Sequence, residues 1–365
     1  MRHRIRILLS VLFLLSMASG LFSGAFADRS VTLTFAGDCT LGSEESKRPN
    51  ENSFDSVISR EGFSYPFEKV RSLFESDDCT VVNLEGVLSD SRSGENFGKT
   101  YRFRGPAEFV KILSLASVEA VGLANNHTGD YGARGLEDTQ RILTEGGISW
   151  FRTKTSWTLE KDGIRIVFFA INSFQDSAFQ NDLNWMRNEI RRVKQSGEAG
   201  AVVVMFHSGA EYDACHTATQ ENIGKSFIGC GADLVVMHHP HVVQGVAVEG
   251  NRTMLYSLGN FVFGGNSEIR TKPYRTWEVT SLYSLIARVR LDFSDDGTYL
   301  GQDITLIPAF TSSDAPHNNY QPLPVSGNDA ALVREAVRFD TAFPLPEITE
   351  EDGLSVIRLP YLAAE

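Results

Sequence analysis

The sequence predicts an α/β fold with buried sheets. Apolar, β-rich runs alternate with segments of helical spacing along most of the chain. Several of those runs also release a polar, chemistry-bearing residue just past their carboxyl ends. The runs are continuous rather than alternating in hydrophobicity, as expected where helices cover both faces of a sheet.

Strands are expected over 31–37 (VTLTFAG), 79–86 (CTVVNLEG), 119–125 (EAVGLAN), 164–171 (IRIVFFAI), 201–207 (AVVVMFH) and 232–238 (ADLVVMH). Between them, FEKVRSLFES, AEFVKILSLA, ARGLEDTQRILTEGG, DLNWMRNEIRRVKQSG and TQENIGKSFIGCG carry helical spacing with Gly or Ser stops. In the helix over 134–145, Leu136 and Leu143 are spaced to face the core, and Gly146-Gly147 ends it. TMLYSLGNFVFG reads as a strand, and SLIARVRLDF with GTYLGQDITLI as an antiparallel pair joined by an SDDG turn. Residues 43–60 and 89–100 are rich in Ser, Asn and Gly and read as surface loops. From about 312 the chain carries Pro and Asn, with one short helix candidate at DAALVREAVRF. Residues 313–365 are therefore expected as a tail packed on one domain spanning 28–312.

A chain of 365 residues, 42% hydrophobic, can bury a sizeable core. Its formal net charge of -12 argues against nucleic acid or an anionic membrane surface as a general partner. An anionic substrate has to be met by a local cluster of cations or by metal. Arg2, Arg4 and Arg6 precede the apolar ILLSVLFLLSMA, and Ala25 and Ala27 supply an A-x-A site. Residues 1–27 thus read as a signal peptide cleaved after Ala27, which implies an exported protein: periplasmic, cell-surface or secreted. The alternative is an uncleaved N-terminal membrane anchor, since residues 7–27 carry no charge.

Cys39, Cys79, Cys215 and Cys230 would then sit where pairing is allowed. A helix over 218–230 separates Cys215 from Cys230 by about 20 Å, beyond disulfide reach. The expectation is structural thiols with room for one bridge, and no C-x-x-C spacing suggests structural zinc. Cys39 reads as a packed thiol whose pKa the neighbouring Asp38 raises.

The placement of polar residues carries most of the functional information. Asp38 closes the first strand, Glu85 the second, Asn126 and His127 the third, His207 the fifth, and His238, His239, Pro240 and His241 the sixth. Taken singly, each has a bland reading: Asp38 and Glu85 as caps or turn residues, Asn126-His127 as a tight polar loop, His239-Pro240-His241 as a surface turn. His216 and His317 read as surface residues. Taken together, they fall where parallel α/β sheets gather ligands, outside the strands' carboxyl ends. Hard carboxylate oxygens, an amide oxygen and borderline imidazole nitrogens suit a divalent metal, one or two ions of Mn, Zn or Fe. A shared carboxylate can hold two such ions roughly 3.5–4 Å apart, and a free histidine can protonate a leaving oxygen.

The motifs FAGDCTLG, YPFEKV, NLEGVL, YRFRGP, GLANNHTGDYGARGLEDT, HSGAEY, GADLVVMHHPHVVQG and YSLGNFVFG, in this order from about 31 to 310, resemble the CapA-type poly-γ-glutamate capsule synthesis proteins. These are similar to the calcineurin-like metallophosphoesterases. The resemblance implies a four-layer α/β/β/α sandwich of metallophosphoesterase type with its site at one edge of two sheets. It assigns Asp38 and His241 to a first metal, Glu85 as a bridging carboxylate, and Asn126, His207 and His239 to a second metal. His127 would be the general acid, held by Asn125 or Asp130. Two departures stand out. The superfamily's Asp-x-His is here Asp38-Cys39-Thr40, which removes a nitrogen ligand, and Glu85 replaces a bridging Asp.

Arg102 and Arg104 in YRFRGP offer guanidinium forks for carboxylate or phosphate, or else form salt bridges. Glu211, Tyr212 and Asn260 fall in matching motifs and are expected to line the cleft. The implied function is an exported, metal-dependent hydrolase or transferase acting on a phosphoester or γ-linked amide. Its substrate would be an anionic polymer or a phosphoester, with membrane-bound capsule synthesis proteins as partners. The alternative is a non-catalytic capsule assembly or export factor that binds metal or polyanion.

Overall fold

In the computed structural model, residues 29–174, 178–273 and 279–364 are described. The expected signal segment, 1–27, lies outside the described residues. The strands relevant to the site are β1 (Arg29–Thr40), β2 (Cys79–Leu84), β3 (Ala120–Gly122), β4 (Ser149–Phe151), β5 (Trp157–Lys161), β6 (Ile164–Asn172), β7 (Ala201–His207) and β8 (Leu234–His238). They are followed by β9 (Val246–Glu249), β10 (Arg252–Leu255), β11 (Asn260–Phe263), β12 (Tyr283–Phe293), β13 (Tyr299–Phe310), β14 (Thr349–Glu351) and β15 (Leu354–Arg358). The helices used below are α1 (Phe54–Glu61), α2 (Val110–Ser114), α3 (Gly132–Glu145), α4 (Phe179–Gln195), α5 (Ala218–Ile228) and α6 (Gly327–Phe339).

Two sheets stack face to face. The first runs β14-β15-β13-β12-β1-β2-β3-β4, with β11 also paired to β1. The second runs β9-β10-β8-β7-β6-β5. Pairing is parallel from β1 through β4 and from β6 through β10 by way of β7 and β8, so both sheets send carboxyl ends to one edge. Side chains such as Phe35, Val81, Phe168 and Val203 fill the space between the sheets. Each such side chain contributes about 1.5–3 kcal/mol by leaving water. Ile58, Ile112 and Leu143 from α1, α2 and α3 cover the outer face of the first sheet. Met186, Ile190 and Phe227 from α4 and α5 cover the outer face of the second. The architecture is the four-layer α/β/β/α sandwich.

Some sequence expectations need correction. Residues 43–60 are not all loop: Ser53 caps α1 by accepting from the Ser56 N–H, and Phe54, Val57 and Ile58 form the buried stripe of that helix. The first strand does not stop at residue 37 but runs to Thr40, with an irregularity in register around Asp38. TMLYSLGNFVFG is two strands, β10 and β11, in different sheets. Between them Gly259 takes φ +75°, a left-handed turn that carries the chain across. That crossing is tight, because a Cβ on Gly37 would lie 2.1 Å from the Gly259 carbonyl oxygen. The expected helix at FEKVRSLFES contracts to one turn, Arg71–Phe74, and that at AEFVKILSLA to a 3-10 turn plus α2.

The residues beyond 312 are built into the sheet and the core. β15 pairs with β13, and Val333 and Val337 of α6 enter the inter-sheet core. All four cysteines are free thiols, so no bridge forms. Among the described residues, no helix is long and apolar enough to cross a membrane.

Candidate metal centre

Asp38 is presented by the irregular end of β1, where its N–H donates to the Gly259 carbonyl at 2.9 Å. Its carboxylate is fully buried and well partnered. It accepts from Asn83 Nδ2 at 2.8 Å and from the His239 N–H at 3.3 Å, with His241 Nδ1 at 3.4 Å and His238 Nδ1 at 3.1 Å. Burial raises its pKa, but hydrogen bonds and charge from His238 and His241 outweigh that and hold it well below the usual range.

Glu85, one residue past β2, is the opposite case. It is fully buried, and neither carboxylate oxygen has a hydrogen-bond partner. Burial, reinforced by the Asp38 charge, pushes its pKa well above the usual range. Imidazoles surround it: His127 Nε2 and His207 Nε2 lie 3.8 Å and His241 Nε2 4.0 Å from Oε1, with His239 in the same donor group. A buried carboxylate left without a hydrogen bond is strongly disfavoured unless a cation contacts it.

The donor atoms fall into overlapping groups that share Glu85. Asp38, Glu85 and His241 form one, and Glu85, His207 and His239 another, each with its donor atoms within 4.8 Å of one another. His207 Nε2 lies 2.8 Å from Asn126 Oδ1 and 3.1 Å from His239 Nδ1, so three neutral donors converge beside Glu85. Burial, and then the neighbouring imidazole, holds His207 far below its usual pKa and His239 down at about 3. Both are neutral and ready to ligate. Burial also pulls His241 down, but the Glu85 and Asp38 carboxylates outweigh it and hold it at about 9. His239 and His241 sit on either side of Pro240 with φ of 103° and 58°. Non-glycine residues in that region are strained, and such strain concentrates where side chains must be aimed. The oxygen and nitrogen set, together with the unpartnered Glu85, fits one or two divalent cations of the borderline kind.

His127 stands beside this set with a different wiring. Its Nδ1 lies 2.7 Å from Asp130 Oδ2, and its Nε2 faces Glu85. Because a carboxylate only accepts, Nδ1 carries the proton toward Asp130. Burial lowers the His127 pKa, with Asp130 opposing. Asn125 does not touch the ring. It organises the loop, donating from Nδ2 to Asn83 Oδ1 and the Leu84 carbonyl and accepting the His127 N–H at Oδ1.

The remaining expectations divide. Asn260 is drawn in, with Oδ1 2.9 Å from His241 Nδ1, so it orients a donor rather than lining an open wall. Glu211 forms a further donor group with His239 and His241, and the Tyr212 ring lies 5.9 Å from that of His241. Arg102 and Arg104 are not brought in as free forks: Arg102 Nε meets Glu95 at 3.0 Å, and Arg104, buried, meets Glu45 at 2.5 Å and the Ser89 carbonyl. The salt-bridge reading holds for both. His216 is half-buried, its ring stacked on Tyr256 at 3.8 Å and 2.8 Å from Asp340, whereas His317 is exposed. Cys39 has its pKa raised mainly by burial, with Asp38 a smaller cause.

Asn83 and Lys99 escaped sequence reasoning, and His238 was read as a strand-end residue without a role. Asn83 links Asp38, His207 and Asn125, and its only signal was its place two residues before Glu85. His238 flanks Asp38, its buried Nδ1 3.1 Å from the carboxylate. Lys99, from the 89–100 loop, contacts Asp130 and donates to the Asn126 carbonyl at 2.7 Å, with His127 Nδ1 at 3.4 Å.

Fold and site together define an α/β sandwich with a buried carboxylate–imidazole cluster at the shared carboxyl edge of two parallel sheets. The chain belongs to the bacterial capsule synthesis protein family PGA_cap, whose model matches residues 32–265. It is similar to the capsule biosynthesis protein CapA of Bacillus anthracis, 28% identical over 257 residues, covering 64% of this chain and 60% of that one. It is likewise similar to the PGA biosynthesis protein CapA of Bacillus subtilis, 26% identical over 259 residues, covering 65% of this chain and 64% of that one. The match therefore spans somewhat under two thirds of these relatives' own length. Among solved structures, a hypothetical protein from Thermus thermophilus aligns with TM-score 0.44 and 14% identity, over 76% of this chain and 99% of that one.

Proposed function

We propose that this protein is an exported capsule-synthesis factor acting as a metal-dependent hydrolase or transferase on a phosphoester or γ-linked amide of an anionic polymer or phosphoester substrate. The observation that carries the reading is Glu85: a carboxylate wholly removed from water, with no hydrogen-bond partner, ringed by imidazoles. One or two ions of Mn, Zn or Fe suit those donors, with Asp38, Glu85 and His241 holding one and Glu85, Asn126, His207 and His239 the other. A cation there supplies charge neutralisation and Lewis-acid activation of water.

The chain's own residues supply the rest. Asp38, Glu85 and Glu211 make the cleft acidic, so an anionic substrate is admitted only once a cation offsets them. Asp130 fixes the His127 tautomer, which leaves Nε2 facing the cleft to pass a proton to or from the reacting oxygen. Lys99 and Asn125 hold that loop in place. Membrane-bound capsule synthesis proteins are the partners this role implies.

One observation favours a second reading, a capsule assembly or export factor that binds metal or polyanion without turnover. Thr40 stands where the superfamily places a histidine, and its buried Oγ1 has no partner, so the Asp38 group has one nitrogen donor fewer. The two readings separate on metal content and hydrolysis of bis(p-nitrophenyl) phosphate by wild type, Asp38→Ala and His239→Ala. The catalytic reading expects bound metal and turnover in the wild type, with loss of about a hundredfold or more in both variants. Bound metal without turnover supports the binding reading. A variant as active as the wild type removes the site assignment.

A further inference from the structure

The donors of the metal centre are walled off from solvent. Asp38 and Glu85 are fully buried, and His207, His239 and His241 are at most 5% exposed. Asn126 is half-buried but carries no charge. A hydrated cation crosses such a wall at the cost of its desolvation, unless donors replace the lost waters on the way. Among the described donor groups, Glu211 is the one exposed member.

Backbone contacts hold Glu211 where it stands. β7 ends at His207, and the segment 208–212 lies against the His239-Pro240-His241 turn. The Ser208 N–H donates to the His238 carbonyl at 3.0 Å, and the Tyr212 N–H to the Pro240 carbonyl at 2.8 Å. Gly209, at φ +133°, keeps the approach close, since a Cβ there would stand 2.8 Å from Pro240 Cγ. Glu211 is thereby set beside His239 and His241, with donor atoms of the three within 4.8 Å of one another. Among the described residues its carboxylate enters no ion pair or hydrogen bond. Each imidazole also belongs to a buried group, His239 to that of Glu85 and His207, and His241 to that of Asp38 and Glu85. The exposed group therefore shares one ligand with each buried group, and the Glu211 charge acts on both Glu85 and His241.

We propose that Glu211, His239 and His241 form the loading position through which divalent cations enter the buried centre. The inference rests on the metal centre proposed above. Glu211 meets the incoming cation at the surface, and the two imidazoles replace part of its water shell. Glu85 then takes over from Glu211, one carboxylate–cation contact forming as the other breaks, while a shared imidazole stays in place. The formal net charge of -12 draws cations to the protein at large, but a carboxylate fixed against two ligand imidazoles is what this exchange needs. Entry and exit cross the same position, so Glu211 sets both rates and leaves the affinity to the buried donors.

The test follows Mn²⁺ uptake by the full chain after chelation, read by rapid-freeze electron paramagnetic resonance as loss of the aqueous Mn²⁺ signal. The same signal at equilibrium gives Kd. Glu211→Gln is expected to slow association and dissociation alike, each by about tenfold, with Kd unchanged. Glu211→Asp, which keeps the charge, is expected to load close to the wild-type rate. Asp352→Asn, an exposed acid of the β14–β15 hairpin, removes the same charge elsewhere and is expected to load as the wild type does. Melting curves for each variant confirm that it is folded. A Glu211→Gln protein that loads as fast as the wild type overturns the proposal. So does weakened Kd with an unchanged association rate, which would make Glu211 a resident ligand, or equal slowing in Asp352→Asn. A wild type that takes up no Mn²⁺ removes the metal centre itself and this inference with it, whereas the other failures leave the metal centre standing.

Discussion

Asp38 and Glu85 stand in one cluster, yet isosteric amide substitutions at the two should move the stability of metal-free protein in opposite directions. Asp38 accepts two hydrogen bonds and is flanked by His238 and His241. Asp38→Asn leaves those donors facing an amide, and truncating one side of a buried charged arrangement costs about 3 kcal/mol. Glu85 accepts no hydrogen bond. Glu85→Gln removes a buried charge and its repulsion with Asp38, a relief of about 1–3 kcal/mol. His241 loses part of its countercharge in that variant, which trims the gain to about 1 kcal/mol. In thermal melts with chelator at pH 7, Glu85→Gln should rise by about 2 °C and Asp38→Asn fall by about 6 °C. The pH dependence follows from the raised Glu85 pKa. A group with a raised folded pKa contributes stability at low pH and loses it as pH rises, so the advantage of Glu85→Gln should fade as the solution is acidified. With Zn²⁺ or Mn²⁺ at about a hundred times its dissociation constant the wild type overtakes Glu85→Gln, because only the wild type gains about 2.7 kcal/mol from binding. If Glu85→Gln destabilises the metal-free protein as Asp38→Asn does, Glu85 is a structural residue and the reasoning from its unpartnered oxygens fails.

Lys99→Met should lower phosphodiester turnover about tenfold while metal content stays at the wild-type level, since Lys99 contacts Asp130 and the Asn126 carbonyl but donates no ligand atom. Loss of metal in that variant would show that Lys99 shapes the metal site itself. Calorimetric titration of Zn²⁺ in buffers of differing ionisation enthalpy should report release of about one proton or more per ion near pH 7.5. The release from His241 should fade, and affinity level off, as pH passes about 9, whereas His207 and His239 release none at neutral pH. Gly37→Ala should destabilise the fold by about 3 kcal/mol or more, read by urea unfolding, because its Cβ meets the Gly259 backbone.

The legible part of this protein was its strand ends. Short, Val-rich apolar runs such as AVVVMFH and ADLVVMH read as buried strands flanked by helices, and polar residues at several such ends fall together at one edge of the sheets. That logic reached Asp38, Glu85, Asn126, His127, His207, His239 and His241, which the structure brings together. Lys99 was illegible because it comes from an aperiodic Ser- and Gly-rich loop, 31 residues before the aspartate it contacts. Asn83 was hidden inside a strand, where burial rather than function is the ordinary expectation. α1 was masked by composition, although Ser53 followed by Phe54, Val57 and Ile58 is a cap and an i, i+3, i+4 stripe. The arginines of YRFRGP misled for a different reason: whether a guanidinium is free or paired depends on acids such as Glu45 and Glu95, whose proximity no spacing reveals.

The most direct test of the metal centre is anomalous diffraction from crystals of the wild-type protein soaked in Mn²⁺ or Zn²⁺. The account predicts at least one anomalous peak about 2.0–2.2 Å from a Glu85 carboxylate oxygen and from the ring nitrogens of His207 and His239, or of His241. Soaked crystals in which Glu85 contacts only water, with every anomalous peak elsewhere on the molecule, would contradict it.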